Sequence, residues 1–217
     1  EYGVDAFTSG NHIWDKNDIY DYIDNSDRLI RPLNYPNCEH GVGYRIFSIK
    51  GKKIGVINLL GRTFMAPVDS PFTSLKEVYE KIKPEIDFTI IDIHAEATAE
   101  KLSLAYLAKD LGINAVLGTH THVQTSDEQI IDGKTLYITD IGFTGAKNSI
   151  IGMDIETSLK RWLTSINYRL EVPNENIAQF NAIRFSLNQA DLSFVQVKRI
   201  SLDINLSYDN EEKGQQE

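Results

Sequence analysis

The sequence predicts an α/β domain built on a largely parallel sheet, and three observations carry that expectation. Apolar runs of strand length, at 54–59, 88–93 and 115–117, alternate with helix-like stretches, the pattern of strand–helix–strand units with right-handed crossovers. The chain has 217 residues, 41% of them hydrophobic, enough to bury one full core. Four of its five histidines directly follow strand-like runs, where ligands of open α/β sheets gather.

Residues 5–9 read as a short strand ending at Gly10, with Asn11 and His12 immediately after it, and 15–25 as polar and helix-like. The proline- and asparagine-rich stretch 26–43 reads as a surface loop that leaves His40 in solvent. Residues 44–49 alternate apolar and polar, turn through 50–53, and feed the buried strand 54–59 as a hairpin. The loop 60–74 is long enough for a functional role, with Arg62 a candidate phosphate contact. A helix is expected from Ser74, opened by the box Ser74-Leu75-Lys76-Glu77 and stopped by Pro84, with Leu75, Val78, Tyr79 and Ile82 on its apolar face.

The next strand, 88–93, delivers His94 at its end and holds Asp92, a candidate partner for the second ring nitrogen of a histidine. Thr98 is expected to cap a helix ending at Leu111, while Glu96 is either a metal-ligand candidate or, preferentially, a helix-dipole or hydrogen-bonding charge. The stretch 114–124 is the one around which the rest is organised: its strand turns at Gly118 and delivers His120 and His122 into a loop. A hairpin about Asp132-Gly133, a glycine-bearing loop at 140–145 and an amphipathic helix at 154–164 using Ile155, Leu159, Trp162 and Leu163 follow. Strands 180–187 and 192–200 are expected to pair antiparallel across 188–191. No internal repeat divides the chain, so 1–205 reads as one domain and 206–217 as a disordered acidic tail.

The net charge of −9 argues against stable binding of a nucleic-acid duplex, which needs a basic face to displace counterions. A single cysteine, Cys38, leaves no internal disulfide, which fits a cytoplasmic protein, and no apolar run is long enough to span a bilayer. Assembly into a homo-oligomer is left open.

A parallel sheet would bring Asn11 and His12, His94, and His120 with His122 from three strand ends to one edge. Any of these residues alone has an ordinary structural role as turn, cap or solvated side chain; together they form a set of neutral oxygen and nitrogen donors without thiolates. Such a set suits zinc, iron or manganese. Two adjacent metals would activate water and orient phosphoryl oxygens, so hydrolysis of a phosphate ester is the natural chemistry.

The segments Ser9-Gly10-Asn11-His12, Asp92-Ile93-His94-Ala95-Glu96-Ala97-Thr98 and Gly118-Thr119-His120-Thr121-His122 resemble the later motifs of calcineurin-like metallophosphoesterases. With 139–145 and 149–153, the chain is similar to the YmdB-like branch and its 2′,3′-cyclic-nucleotide 2′-phosphodiesterases. The resemblance runs from Glu1 to about Leu202. It implies a layered α/β/β/α sandwich and a centre of two divalent or mixed-valence ions, iron or manganese, held by Asn11, His94, His120 and His122. It further implies that His12 protonates the leaving oxygen while a metal-activated hydroxide opens the 2′ ester of a cyclic nucleotide.

The family pattern also includes a Gly-Asp strand end and a Glu-Asn strand end, which supply a terminal Asp and the carboxylate that bridges the ions. Neither occurs in this sequence, and Asp5, Asp15, Glu96 and Asp140 lack the motif context to replace them. The chain is therefore expected to be an N-terminally truncated, inactive piece of the enzyme, with an uncovered parallel strand edge. A broader phosphatase or phosphodiesterase, or a non-catalytic regulatory module on the same fold, are the alternatives.

Overall fold

In the computed structural model, which describes residues 3–206, the chain runs β1 (Phe7–Thr8), α1 (Ile19–Asn25), β2 (Leu29–Ile30), β3 (Tyr44–Ile49), β4 (Lys52–Leu60) and α2 (Pro71–Ile82). After a 3-10 turn at Lys83–Glu85 come β5 (Phe88–His94), α3 (Thr98–Leu111), β6 (Ala115–Thr119), β7 (Gln129–Ile131), β8 (Thr135–Ile138), β9 (Gly145–Ala146), α4 (Ile155–Thr164), β10 (Ile177–Leu187) and β11 (Phe194–Asn205). The tail expected at 206–217 lies, apart from Leu206, outside the described residues.

Six strands form the central sheet in the order β3-β4-β5-β6-β8-β7. The four inner strands are parallel, and β3 and β7 pair antiparallel at its edges. Strand parity sorts the side chains between two cores. Ile57, Leu59, Ile91, Ile93, Val116 and Tyr137 face α2 and α3, packing on Leu75, Val78, Leu104 and Ala108. Each such aliphatic side chain contributes about 1.5–3 kcal/mol when taken out of water. The opposite parity sends Phe88, Ala115 and Leu136 toward β10 and β11, where Phe88 meets Phe185 and Phe194 at ring separations of 6.0 and 5.9 Å. Helices, a central sheet and a second sheet of β9, β10 and β11 are therefore layered as the α/β expectation requires.

Several details correct the sequence reading. The stretch read as loop at 26–43 contains β2, which pairs parallel with β1 in a sheet of their own. Asn11 is thus not delivered by a strand of the central sheet. The β1 end is instead pinned to that sheet by Asn58 of β4, whose Oδ1 accepts from the Ser9 N–H at 3.2 Å. Among the described residues, β1 pairs with β2 alone, and Phe7 is 46% exposed. Helix α2 begins at Pro71 rather than Ser74, because Ser70 Oγ accepts from the Thr73 N–H and proline fits the first turn. Thr98 is the first residue of α3 and not its cap; Ala97 holds that position without a side-chain bond. His40 is paired rather than simply solvated, its Nδ1 lying 2.8 Å from Asp24 Oδ2.

Helix α4 is covered along little of its length. Its cap is strong, Asp154 Oδ1 accepting from the Thr157 N–H at 2.8 Å, yet Ser158 is its only buried residue. The apolar face expected to pack leaves Leu159 half exposed and Trp162 81% exposed. Among the described residues, no helix is long and apolar enough to cross a membrane.

Candidate active site

Register and parity build the site from below. Asp92 and His94 share one face of β5, and His94 pairs in register with Thr119 of β6. Asn58 lies beside Asp92 across the β4–β5 pair. At the carboxyl end of β6 the chain must pass against the end of β8. Gly118 allows this, because a Cβ there would lie 1.8 Å from the Thr139 carbonyl oxygen. Gly10 has the same role above His94, where a Cβ would come within 2.5 Å of the imidazole. That close approach places Asn11 over the ring.

Beyond Gly118 the backbone is strained. His120 has φ 108° and His122 φ 63°, a left-handed region that side-chain-bearing residues seldom occupy and that costs about 1–3 kcal/mol each. Asp140 holds the loop between them: its Oδ2 accepts from the Thr121 N–H at 2.9 Å and from Lys101 Nζ at 3.2 Å. The Lys101 and Asp140 side chains are both fully buried. Burial pulls the Lys101 ammonium pKa down, and the adjacent Asp140 carboxylate opposes the shift.

The hydrogen bonds around His94 set its tautomer. Thr119 Oγ1 donates its single proton to Asp92 Oδ1 at 2.7 Å, so it accepts from His94 Nδ1–H at 3.0 Å. Nε2 then carries a lone pair, and it faces Asn11 Oδ1 at 2.9 Å and His120 Nδ1 at 3.1 Å. On the far side of the second ring, Glu96 Oε2 lies 3.1 Å from His120 Nε2. A carboxylate accepts only, so the proton of a neutral His120 resides on Nε2 and its Nδ1 also presents a lone pair. Three lone-pair donors thus converge with no proton between them.

Burial, reinforced by His120 and Lys101, holds the His94 pKa down to about 3, so this imidazole is neutral across the physiological range. Burial also lowers His120, against the pull of Glu96. The Asp92 carboxyl is pushed up to about 6 by burial, with the Thr8 and Thr119 hydroxyls working in the other direction.

This donor set fits a cation. Separations of 2.9–3.1 Å suit neighbouring donors around an ion bound at about 2.0–2.2 Å, and a neutral imidazole is the ligating form. Among the described residues no three His, Cys, Asp or Glu side chains meet as a metal-holding group. The third donor of the cluster is a carboxamide, Asn11.

Two expected site residues stand apart from this cluster. His122 Nδ1 donates to the Ile151 carbonyl at 2.8 Å, and its ring stacks on Phe143 at 5.5 Å. His12 is mostly in solvent, with Nδ1 at 2.9 Å from Asp15 Oδ2. Arg62 is also exposed, its backbone N–H bound by Glu100.

Thr119, Asn58 and Lys101 were not singled out from the sequence, and Asp92 reaches His94 only through Thr119. Lys101 left a usable signal: it occupies the apolar stripe of α3 shared by Leu104, Ala105 and Ala108, a position a lysine occupies only with a buried partner. Thr119 and Asn58 are ordinary strand residues whose role depends on register.

The layered α/β domain carries an imidazole and carboxamide cluster beyond its parallel strands, and comparison with known proteins places it among hydrolases of the phosphoesterase class. The chain is 41% identical over 201 residues to a 2′,3′-cyclic-nucleotide 2′-phosphodiesterase of Bacillus subtilis, covering 93% of this chain and 75% of that protein. A crystal structure described as a novel phosphatase of Mycoplasma pneumoniae superposes with TM-score 0.84 at 30% identity, covering 94% of this chain and 73% of that one. The crystal structure of a hypothetical protein from Thermus thermophilus also gives 0.84, at 36% identity, with 93% and 77% covered. The chain belongs to the YmdB-like protein family, whose model matches residues 1–200.

Proposed function

We propose that the chain carries the metal-binding part of a phosphodiesterase that hydrolyses the 2′ ester of 2′,3′-cyclic nucleotides. The observation that supports this best is the set of lone pairs on His94 Nε2, His120 Nδ1 and Asn11 Oδ1, the first lying within 3.1 Å of each of the others. These side chains would hold one ion, iron or manganese, with Thr119 and Glu96 orienting the two rings as carboxylates and hydroxyls orient ligating histidines. His122 is the proposed further ligand, because its Nδ1–H is held by Ile151 and its Nε2 is the nitrogen left to bind. A bound divalent ion supplies a low-pKa water and neutralises phosphoryl oxygens.

The protein's own residues account for the rest of the chemistry. Asp15 accepts from Nδ1 of His12, so it is as an imidazolium, with a second proton on Nε2, that His12 would deliver that Nε2 proton to the departing 2′ oxygen and return to the neutral ring. The proposed product is a 3′-nucleotide. A dinuclear centre needs a bridging carboxylate and roughly twice these donors. Asp140 is engaged by Lys101 and Thr121, and Asp15 by His12. The described residues are thus suited to one ion, and the chain by itself to weak or absent turnover. A cytoplasmic setting is proposed from the single cysteine.

A substrate panel separates this reading from a broader phosphatase, which the name of the Mycoplasma pneumoniae structure favours. With manganese or ferrous iron added, 2′,3′-cyclic AMP is expected to yield 3′-AMP without release of inorganic phosphate. Phosphate release from 3′-AMP or p-nitrophenyl phosphate at a comparable rate would favour the broader activity. Metal uptake without binding of 2′,3′-cyclic AMP or 3′-AMP would favour a non-catalytic module.

A further inference from the structure

We propose that the cavity walled by α4 beside His120 is the nucleobase subsite of this centre, with Trp162 as its stacking platform; the inference rests on the phosphodiesterase reading. The cavity measures about 820 Å³ and His120 is part of its wall, so it is continuous with the proposed metal cluster. Small-molecule sites run to roughly 300–1,000 Å³ and are mostly apolar with a few polar groups. This one is lined by Met153 and Leu170, by Arg161 and Trp162 of α4, and by Asn167 just beyond that helix.

Trp162 is 81% exposed, which leaves a planar aromatic face in water beside a phosphoester site. Among the described residues no acceptor is paired with the Arg161 guanidinium, which is free to stack on a base or donate to its edge. The walls are held in place. Asp154 caps α4 and its N–H bonds the Glu171 carbonyl at 2.8 Å, next to Leu170. Ile151, also in the wall, accepts the hydrogen bond of His122. A 2′,3′-cyclic nucleotide carries its base on C1′, the ribose carbon next to the cyclic phosphate, so the base must lodge close to the proposed ion.

A smaller cavity of about 370 Å³ shares Ile151 with it, but its cations and its aromatic ring are already engaged. Lys147 pairs with Asp203, Arg199 with Glu128, and Phe143 stacks on His122. The α4 cavity retains both an open aromatic face and a free cation.

The test measures 3′-AMP and inorganic phosphate binding to the whole chain by calorimetry, in wild type, Trp162→Ala and Trp162→Phe. Base stacking predicts that Trp162→Ala weakens 3′-AMP roughly 10-fold while phosphate affinity stays put, and that Trp162→Phe restores most of the loss. The exposed position keeps both variants folded, which circular dichroism verifies. Equal 3′-AMP affinity in wild type and Trp162→Ala overturns the subsite and leaves the phosphodiesterase reading standing. A dimer that dissociates in Trp162→Ala without any change in nucleotide affinity assigns this face to a second copy and likewise overturns it. Failure of wild type to hydrolyse or bind either 2′,3′-cyclic AMP or the base-free methyl riboside 2,3-cyclic phosphate sinks the underlying reading, and the subsite with it.

Discussion

His94→Ala lowers metal affinity by more than about 100-fold, and any cyclic-nucleotide hydrolysis falls with it, while the fold survives. The expected size follows from its position: His94 Nε2 is the one atom that contacts both Asn11 Oδ1 and His120 Nδ1, so its loss removes the shared corner of the cluster. Losing a group that merely orients a ligand costs about 10–100-fold in affinity or activity, and loss of the ligand itself exceeds that range. Glu96→Gln provides the graded comparison. Its amide can still accept from His120 Nε2 but no longer contributes a charge, so it is expected within the lower range. Metal titration of the three proteins, alongside thermal melts, measures both effects.

Asp140→Ala destabilises the domain by about 3–5 kcal/mol, the range for removing one partner of a buried ion pair and stranding the other. Lys101 is fully buried against Asp140, and no second carboxylate bonds its ammonium among the described residues. The variant also frees the Thr121 N–H, which sits between two residues in left-handed backbone. Loop relaxation is therefore expected to lower metal affinity beyond the loss of stability. The double variant Lys101→Met, Asp140→Leu separates these effects: it recovers much of the stability, because no buried charge is left alone, but not the held loop. Urea unfolding with metal titration on the same samples reads both quantities, and a destabilisation under about 1 kcal/mol in Asp140→Ala would contradict the buried-pair reading.

The central sheet was legible from the sequence because its strands bury both faces. Phe88 and Ile91 are both apolar and face different cores, which produces a continuous apolar run rather than alternation. The hairpins were legible for a local reason, since Lys50-Gly51 and Asp132-Gly133 take the left-handed conformations that tight turns require. The start of α2 was misread because Ser74 and Glu77 imitate a capping box inside a helix that Ser70 and Pro71 had already opened. Strand β2 escaped notice because Leu29 and Ile30 are too short a run to show any period.

The site divided along similar lines. His94 and His120 were found from their places at strand ends, and the structure brings them together with Asn11. Asn11 itself was placed on the wrong sheet, since nothing local in 5–9 distinguishes a strand of the central sheet from the separate pair it forms with β2. The tautomers of both histidines depend on Thr119 and Glu96, contacts made across strands and loops. The sequence ranked Glu96 as a helix-dipole or hydrogen-bonding charge, and its bond to His120 is the second of these. The exposed apolar face of α4 was invisible as such, because amphipathicity shows that a helix has an apolar side and not what covers it.

The most direct test of the metal site is elemental analysis of the chain reconstituted with iron or manganese, in wild type and His94→Ala, with 2′,3′-cyclic AMP hydrolysis assayed on the same samples. The lone-pair cluster predicts about one ion per chain in wild type, its loss in His94→Ala, and 3′-AMP as the sole product of whatever turnover occurs. A wild type that takes up no metal, or a His94→Ala variant that keeps it, would contradict the assignment of Asn11, His94 and His120 as ligands.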